Sequence, residues 1–154
     1  MTSLLFVCTG NICRSPTADA VMRALVAEHN MTAEIDSCGT HGYHVGEQPD
    51  PRTMEVAGHN GVDMTFLSAR KLQPADFEDF DHLIAMDQGH LRIMRSLAPA
   101  EHAHKISLFL DYLPGHEGQD VPDPYYGGAQ GFADVFDLIT RGCLSILDDL
   151  LVKT

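Results

Sequence analysis

Tryptophan is absent, basic residues number 10 against 22 acidic ones, and the 4 cysteines form no C-x-x-C pair. Each shortage removes a class of function. A net charge of −12 excludes nonspecific nucleic-acid binding, which depends on clustered Lys and Arg. Cys8, Cys13, Cys38 and Cys143 are too few and too unevenly placed for a secreted disulfide framework or a zinc site, so free thiols in a cytoplasmic protein are expected. His41-x-x-His44 and His102-x-His104 lack the additional ligands that would make a metal centre, and no cofactor is expected. No apolar run is long enough to cross a bilayer and no basic, apolar leader opens the chain, so no membrane insertion is expected. At 154 residues the chain reads as one domain over 1–154, large enough to bury a core without staples.

What is present concentrates between Leu4 and Pro16. Leu4-Leu5-Phe6-Val7 has no helical period and reads as a strand buried on both faces of a parallel sheet, with Cys8 at its carboxyl end. Ser15-Pro16 predicts an N-cap and a first-turn proline. Between them, Gly10 and Asn11 are the residue types that most readily take positive φ, letting successive N–H groups curl toward one centre and bind an anion. The helix amino terminus and the planar fork of Arg14 add positive charge, so the loop is expected to take a dianionic oxyanion such as phosphate. Thiolates are favoured at helix amino termini beside cations, which makes Cys8 a candidate thiolate nucleophile.

The rest of the chain alternates. Ala18, Val21, Met22, Leu25 and Val26 mark a helix to about His29, and Ala33–Ser37 a second strand. Asp50-Pro51 opens a helix that stops near Asn60-Gly61, and Pro74–Phe77 a short one. His82–Met86 is a third strand, Asp87 caps a helix to about Leu97, Lys105–Phe109 is a fourth strand, and a last helix runs from Gly131 to about Leu151. This predicts an α/β fold: a three-layer, open, four-stranded parallel sheet of order 2-1-3-4 with helices on both faces. That order puts Cys8 at the topological switch point, where ligands of such sheets bind.

Val7-Cys8-Thr9-Gly10-Asn11-Ile12-Cys13-Arg14-Ser15-Pro16 resembles the signature of the low-molecular-weight protein tyrosine phosphatases, and the resemblance runs nearly the whole chain. It implies hydrolysis of phosphotyrosine on a tyrosine-phosphorylated protein through a phosphocysteine on Cys8, with phosphate or another oxyanion as product or inhibitor. Thr9, Gly10, Asn11, Ile12 and Cys13 would wrap the phosphoryl group, Arg14 would grip it, and Ser15 would donate to the thiolate. Such transfer needs a general acid. On spacing alone, Asp123-Pro124 reads equally as a turn signal; the match to the family's Asp-Pro-Tyr element makes Asp123 the acid. Tyr43 and Tyr125 are candidate walls of a slot selective for aryl phosphates. Asp19, Cys38, Leu67 and His90 depart from the family pattern, and Thr9 stands where some relatives carry an apolar residue. Leu67 replaces a histidine that helps to hold the loop's asparagine in relatives, so the support network Asn11–Ser15–Ser37 is expected to lack a member. Cys8 and Cys13 form a candidate redox pair. Two alternatives use the same cradle. Arsenate reductase needs two further cysteines near the third strand, where this chain has none; a non-hydrolysing phosphotyrosine binder would be expected to lack Cys8 or Asp123.

Overall fold

The computed structural model describes residues 1–151; residues 152–154, the end of the expected domain, lie outside the described residues. Strand β1 (Thr2–Cys8) buries Leu4, Phe6 and Cys8 on one face and Leu5 and Val7 on the other, which is why its sequence shows a continuous apolar run instead of alternation. It pairs in parallel with β2 (Ala33–Gly39) and with β3 (His82–Ala85), and β3 pairs in parallel with β4 (Ile106–Leu108), giving the order β2-β1-β3-β4. Helices α1 (Arg14–Glu28) and α5 (Gly128–Leu150) cover the Phe6 face with Val21, Met22, Ile139 and Cys143, and α2 (Pro51–His59) joins that layer through Ala57. Helices α3 (Pro74–Asp79) and α4 (Gln88–Leu97) cover the Leu5 face with Phe77, Leu91 and Met94. The expected three layers and strand order are those observed. None of the described helices is long and apolar enough to cross a membrane.

Asp50 and Asp87 cap α2 and α4 as their sequences indicate, accepting from the N–H groups of Arg52 and His90. Several boundaries differ. Strand β3 stops at Ala85, one residue short of Met86, and β2 extends past Ser37 to Gly39. Strand β4 is shorter than Lys105–Phe109, because Lys105 ends a 3-10 turn and donates its ammonium to the carbonyls of Phe77 and Glu78, while Phe109 begins another turn. Helix α5 begins three residues before Gly131, at Gly128, whose φ of +63 lets the chain turn directly out of the preceding 3-10 turn.

The start of α1 is the larger correction. Cys13 occupies the N-cap position, so Ser15 is not the cap and Pro16 sits at the third helical position, where a missing N–H has no intrahelical partner to lose. Thr17 returns both its N–H and its hydroxyl to the Cys13 carbonyl, at 3.2 and 2.6 Å. The Ser15 hydroxyl is thereby left for other partners.

The end of β2 presses against the loop that follows β1. The Gly39 backbone lies so close that a Cβ there would meet the Thr9 carbonyl oxygen at 2.5 Å, backbone against backbone. Gly39→Ala is therefore expected to cost about 1–3 kcal/mol, the usual range for overpacking, and to displace the loop. Urea denaturation measures the first effect and a phosphate-induced rise in melting temperature, smaller than in the unchanged protein, the second.

Candidate active site

The five residues between β1 and α1 must reverse the chain around a single centre. Asn11 does so with φ +59, while Gly10, also expected at positive φ, does not. A Cβ on Gly10 would fall 2.9 Å from Cδ2 of His44, a partly exposed ring that would have to move aside. The carbonyls of Cys8, Thr9 and Ile12 turn outward to accept from the N–H groups of Thr40, His41 and Asp50 at 2.8–3.0 Å. Among the described residues, none of the backbone N–H groups from Thr9 to Ser15 has a protein acceptor. Seven adjacent donors without partners, at a helix amino terminus, make an anion nest.

A chain of side-chain hydrogen bonds holds the loop from beneath. The Arg70 N–H donates to Asn11 Oδ1 at 3.1 Å, Asn11 Nδ2 donates to Ser15 Oγ at 2.8 Å, and Ser15 Oγ lies 2.9 Å from Cys8 Sγ. With Cys8 ionised, the Ser15 hydroxyl donates to sulfur and all three donors align toward the thiolate. Each bond in such a series polarises the next. The backbone of Arg70 thus holds the carbonyl end of the Asn11 amide. Ser37 does not join this chain; its hydroxyl donates to the buried carboxylate of Asp19 at 2.9 Å, tying β2 to α1. The side chain of Asp19 is also gripped by Arg23, which reaches the Ile35 carbonyl as well.

Arg14 is buried, and one nitrogen, Nη1, makes all its protein bonds: 2.9 Å to Asp87 Oδ2 and 3.0 Å to the Val121 carbonyl. Among the described residues the remaining guanidinium donors have no protein partner, which leaves a two-pronged edge for phosphoryl oxygens. Burial opposes ionisation of Asp87, but the N–H and ring of His90 and the guanidinium of Arg14 outweigh it and hold its carboxyl below the ordinary carboxylate value. His90 itself, 3% exposed, is pushed down to about 4 by burial, against the pull of Asp87. Its Nε2 lies 2.7 Å from Thr9 Oγ1.

One cleft brings together Cys8, Thr9, Gly10, Ile12, Cys13, Arg14, Tyr43, Asp123 and Tyr125, with His44 added. Its cavity of about 140 Å³ takes a single side-chain-sized group. Asn11 and Ser15 support it from below. Tyr43 stacks on His41 at 5.2 Å and is 75% exposed, so its ring forms the outer wall. Tyr125 is the other wall. Its hydroxyl donates to Asp50 Oδ2 at 2.7 Å, its ring meets Phe132 edge-on at 5.9 Å, and the Arg52 guanidinium lies over both rings. Asp123 caps the 3-10 turn Pro124–Tyr126, with Oδ1 accepting the Tyr125 N–H at 3.0 Å. Cys13 faces both the cleft and a packed region with Thr53 and Phe132; burial pushes its thiol up to about 11 despite the lowering effect of Thr53 and Tyr125.

Sequence reasoning missed His44, the role of Asp50, Arg52 and Phe132 behind Tyr125, and the support of Asn11 by Arg70. Only Arg52 and Asp50 carried a local signal, since the helix cap places an arginine two residues after its capping aspartate. The buried His90 yields a pH prediction. Its proton affinity is lower in the folded chain, about 4, than the 6.5 of a free imidazole, so between those pH values the unfolded chain holds a proton that the folded chain does not. The stability that depends on neutral His90 is complete above pH 6.5, is lost as pH falls toward 4, and falls no further on that account below 4. At about 1.4 kcal/mol per pKa unit the loss is on the order of 3 kcal/mol. Urea midpoints of the unchanged protein should drop across this window, and His90→Asn should flatten the drop.

Comparison with known proteins agrees with this geometry. The family model for low molecular weight phosphotyrosine protein phosphatase matches residues 3–153. A low molecular weight phosphotyrosine protein phosphatase of Schizosaccharomyces pombe is 47% identical over 136 residues, covering 86% of each chain. A low molecular weight protein-tyrosine-phosphatase of Bacillus subtilis is 41% identical, covering 96% of this chain and 94% of its own. The crystal structure of a protein tyrosine phosphatase from Entamoeba histolytica superposes with a TM-score of 0.92 at 36% identity, covering 97% of both chains. A fold, a sheet order and an unpartnered anion nest that agree with these matches over nearly the whole length place this chain in the low molecular weight phosphotyrosine protein phosphatase family.

Proposed function

We propose that this chain hydrolyses phosphotyrosine on proteins, in two steps and without a metal. The thiolate of Cys8 attacks phosphorus, the P–O bond to the tyrosine breaks, and Asp123 gives the departing phenoxide its proton. Asp123 then takes a proton from water, which attacks the phosphocysteine, releasing phosphate and restoring the thiolate. The unpartnered N–H groups from Thr9 to Ser15 and the free edge of Arg14 bind the charge that spreads over the phosphoryl oxygens. Ser15, 2.9 Å from the sulfur, stabilises the thiolate as the leaving group of the second step. The observation that carries the reading is the nest of free donors with Cys8 at its base and Asp123 on the wall of the same cleft. The aromatic walls favour aryl phosphates over the shorter phosphoserine. Arsenate reduction is disfavoured because the two remaining cysteines, Cys38 and Cys143, are fully buried in the core and 105 residues apart in the chain, which gives no relay of thiols at the cleft.

Cys8→Ser should reduce hydrolysis of an aryl phosphate to background with chelator present; undiminished turnover would rule the mechanism out. Asp123→Ala should slow phosphotyrosine hydrolysis by about 10²–10⁴-fold, the usual worth of a general acid. It should slow nitrophenyl phosphate far less, because that leaving group is already a stable anion. Steady-state rates on the two substrates separate the acid role from a structural one, which would lower both equally.

The same site carries the redox pair. Peroxide would convert the Cys8 thiolate to a sulfenic acid; the Cys13 thiolate would then attack that sulfur, forming the disulfide and expelling hydroxide. With Cys13 pushed up to about 11, little of it is ionised at neutral pH, and closure is slow in consequence. Peroxide inactivation should be reversed by dithiothreitol in the unchanged protein and become permanent in Cys13→Ser, with the fraction recovered rising between pH 7 and 9. Mass spectrometry showing a Cys8 sulfonate and free Cys13 in the unchanged protein would exclude the pair.

A further inference from the structure

Two residues 81 apart in sequence meet at the mouth of the cradle: Thr9 Oγ1 and His90 Nε2 lie 2.7 Å apart. The other ring nitrogen, Nδ1, is 3.1 Å from Asp87 Oδ1, too far off line to form a hydrogen bond within the usual geometric limits and without any other partner. That oxygen already accepts the His90 N–H at 2.9 Å, and the second oxygen of Asp87 holds Arg14 at 2.9 Å. A lone pair on Nδ1 would oppose the carboxylate, so the neutral ring carries its proton there. Nε2 is then an acceptor, and the Thr9 hydroxyl is the donor. Residue 90 therefore touches the first residue of the cradle through its imidazole and the carboxylate that holds the guanidinium through its backbone N–H.

We propose that His90 is a positioning residue for the anion cradle, fixing the Thr9 side chain with its ring and, with its backbone N–H, the Asp87 carboxylate that holds the Arg14 fork. The proposal rests on the phosphatase reading above for its effect on turnover, but not for its effect on anion binding. His90 touches no reacting atom. Its contribution is to keep two groups that line the cleft from rotating before the anion arrives, so that less freedom is lost on binding. The charged and titratable groups facing it are Asp87 from the start of α4, Arg14 from α1, His41 from the loop after β2 and Asp120 from the loop before Val121. A dianion in the cradle adds negative charge on the Arg14 side and favours the protonated ring. Once protonated, Nε2 becomes a donor and the Thr9 hydroxyl reverses, releasing its own hydrogen. Anion binding is thus linked to proton uptake at His90.

The test uses Thr9→Val, His90→Asn and the double variant, read by inorganic phosphate binding through melting-temperature shifts and by kcat and KM on nitrophenyl phosphate. A hydrogen bond of this kind is worth about 0.5–1.5 kcal/mol, so each single change should weaken phosphate binding and raise KM about 2- to 12-fold, with a smaller effect on kcat. The double variant should be no worse than His90→Asn alone. Across the titration of His90, phosphate affinity should change more steeply with pH in the unchanged protein than in His90→Asn. Losses that multiply in the double variant, or a lowered melting temperature with phosphate affinity and KM unchanged, would overturn the proposal. If His90→Asn fails to fold, Thr9→Val on the exposed rim decides the matter, and unaltered phosphate binding there overturns it. Phosphate binding without aryl phosphate turnover would instead sink the phosphatase reading and leave the positioning role standing.

Discussion

The structure depends on one geometric demand: the chain must leave a central parallel strand, close around a group the size of phosphate and enter a helix within five residues. Backbone in that path cannot form ladder or helix bonds, so its carbonyls must be satisfied from outside and its N–H groups must point at something anionic. The outer partners come from the loop after β2 and from the start of α2, through Thr40, His41 and Asp50. The left-handed Asn11 is held by hydrogen bonds at both ends of its amide. Gly39 then matters because the neighbouring strand must approach the Thr9 carbonyl with nothing between them.

Charge follows from the same demand. The molecule carries a net charge of −12, yet it must attract an anion. It does so with fixed dipoles and one buried arginine, not with a field of lysines, and the arginine is itself half-neutralised by Asp87. That pairing lets the guanidinium be buried without an uncompensated charge, while its unpaired edge stays available. The positive focus is therefore short in range, and it discriminates by shape as much as by charge.

Much of this was legible in the sequence because it is local. The β1 run, Cys8, Arg14, the capping aspartates and the alternation of strands and helices are all set by neighbours within a few residues, and the strand order followed from where Cys8 had to lie. The misreadings arose where a long-range bond outcompeted a local rule. Ser15 has the residue type and position of an N-cap, but Cys8 and Asn11 engage its hydroxyl, and the cap position passes to Cys13. Ser37, placed in the support network of Asn11 and Ser15 by the family resemblance alone, donates instead to the buried carboxylate of Asp19. Thr9 and His90 are each visible as departures, and only the folding of α4 beside the cradle shows that they form one contact. Tyr125 could be assigned to a wall from its motif, whereas the clamp of Asp50, Arg52 and Phe132 behind it joins three separate segments.

The bond from Arg14 to the Val121 carbonyl couples the cradle to the loop that carries Asp123. Val121 is fully buried and fixed from two directions, its N–H on the Met86 carbonyl and its carbonyl on Arg14. Asp123 is only two residues further on, with Pro122 between, and two residues of chain reach at most about 7 Å. The proposed acid is thus tethered to the same guanidinium that is to receive the phosphoryl group. Any change that loosens Val121 therefore displaces the guanidinium and the carboxylate together.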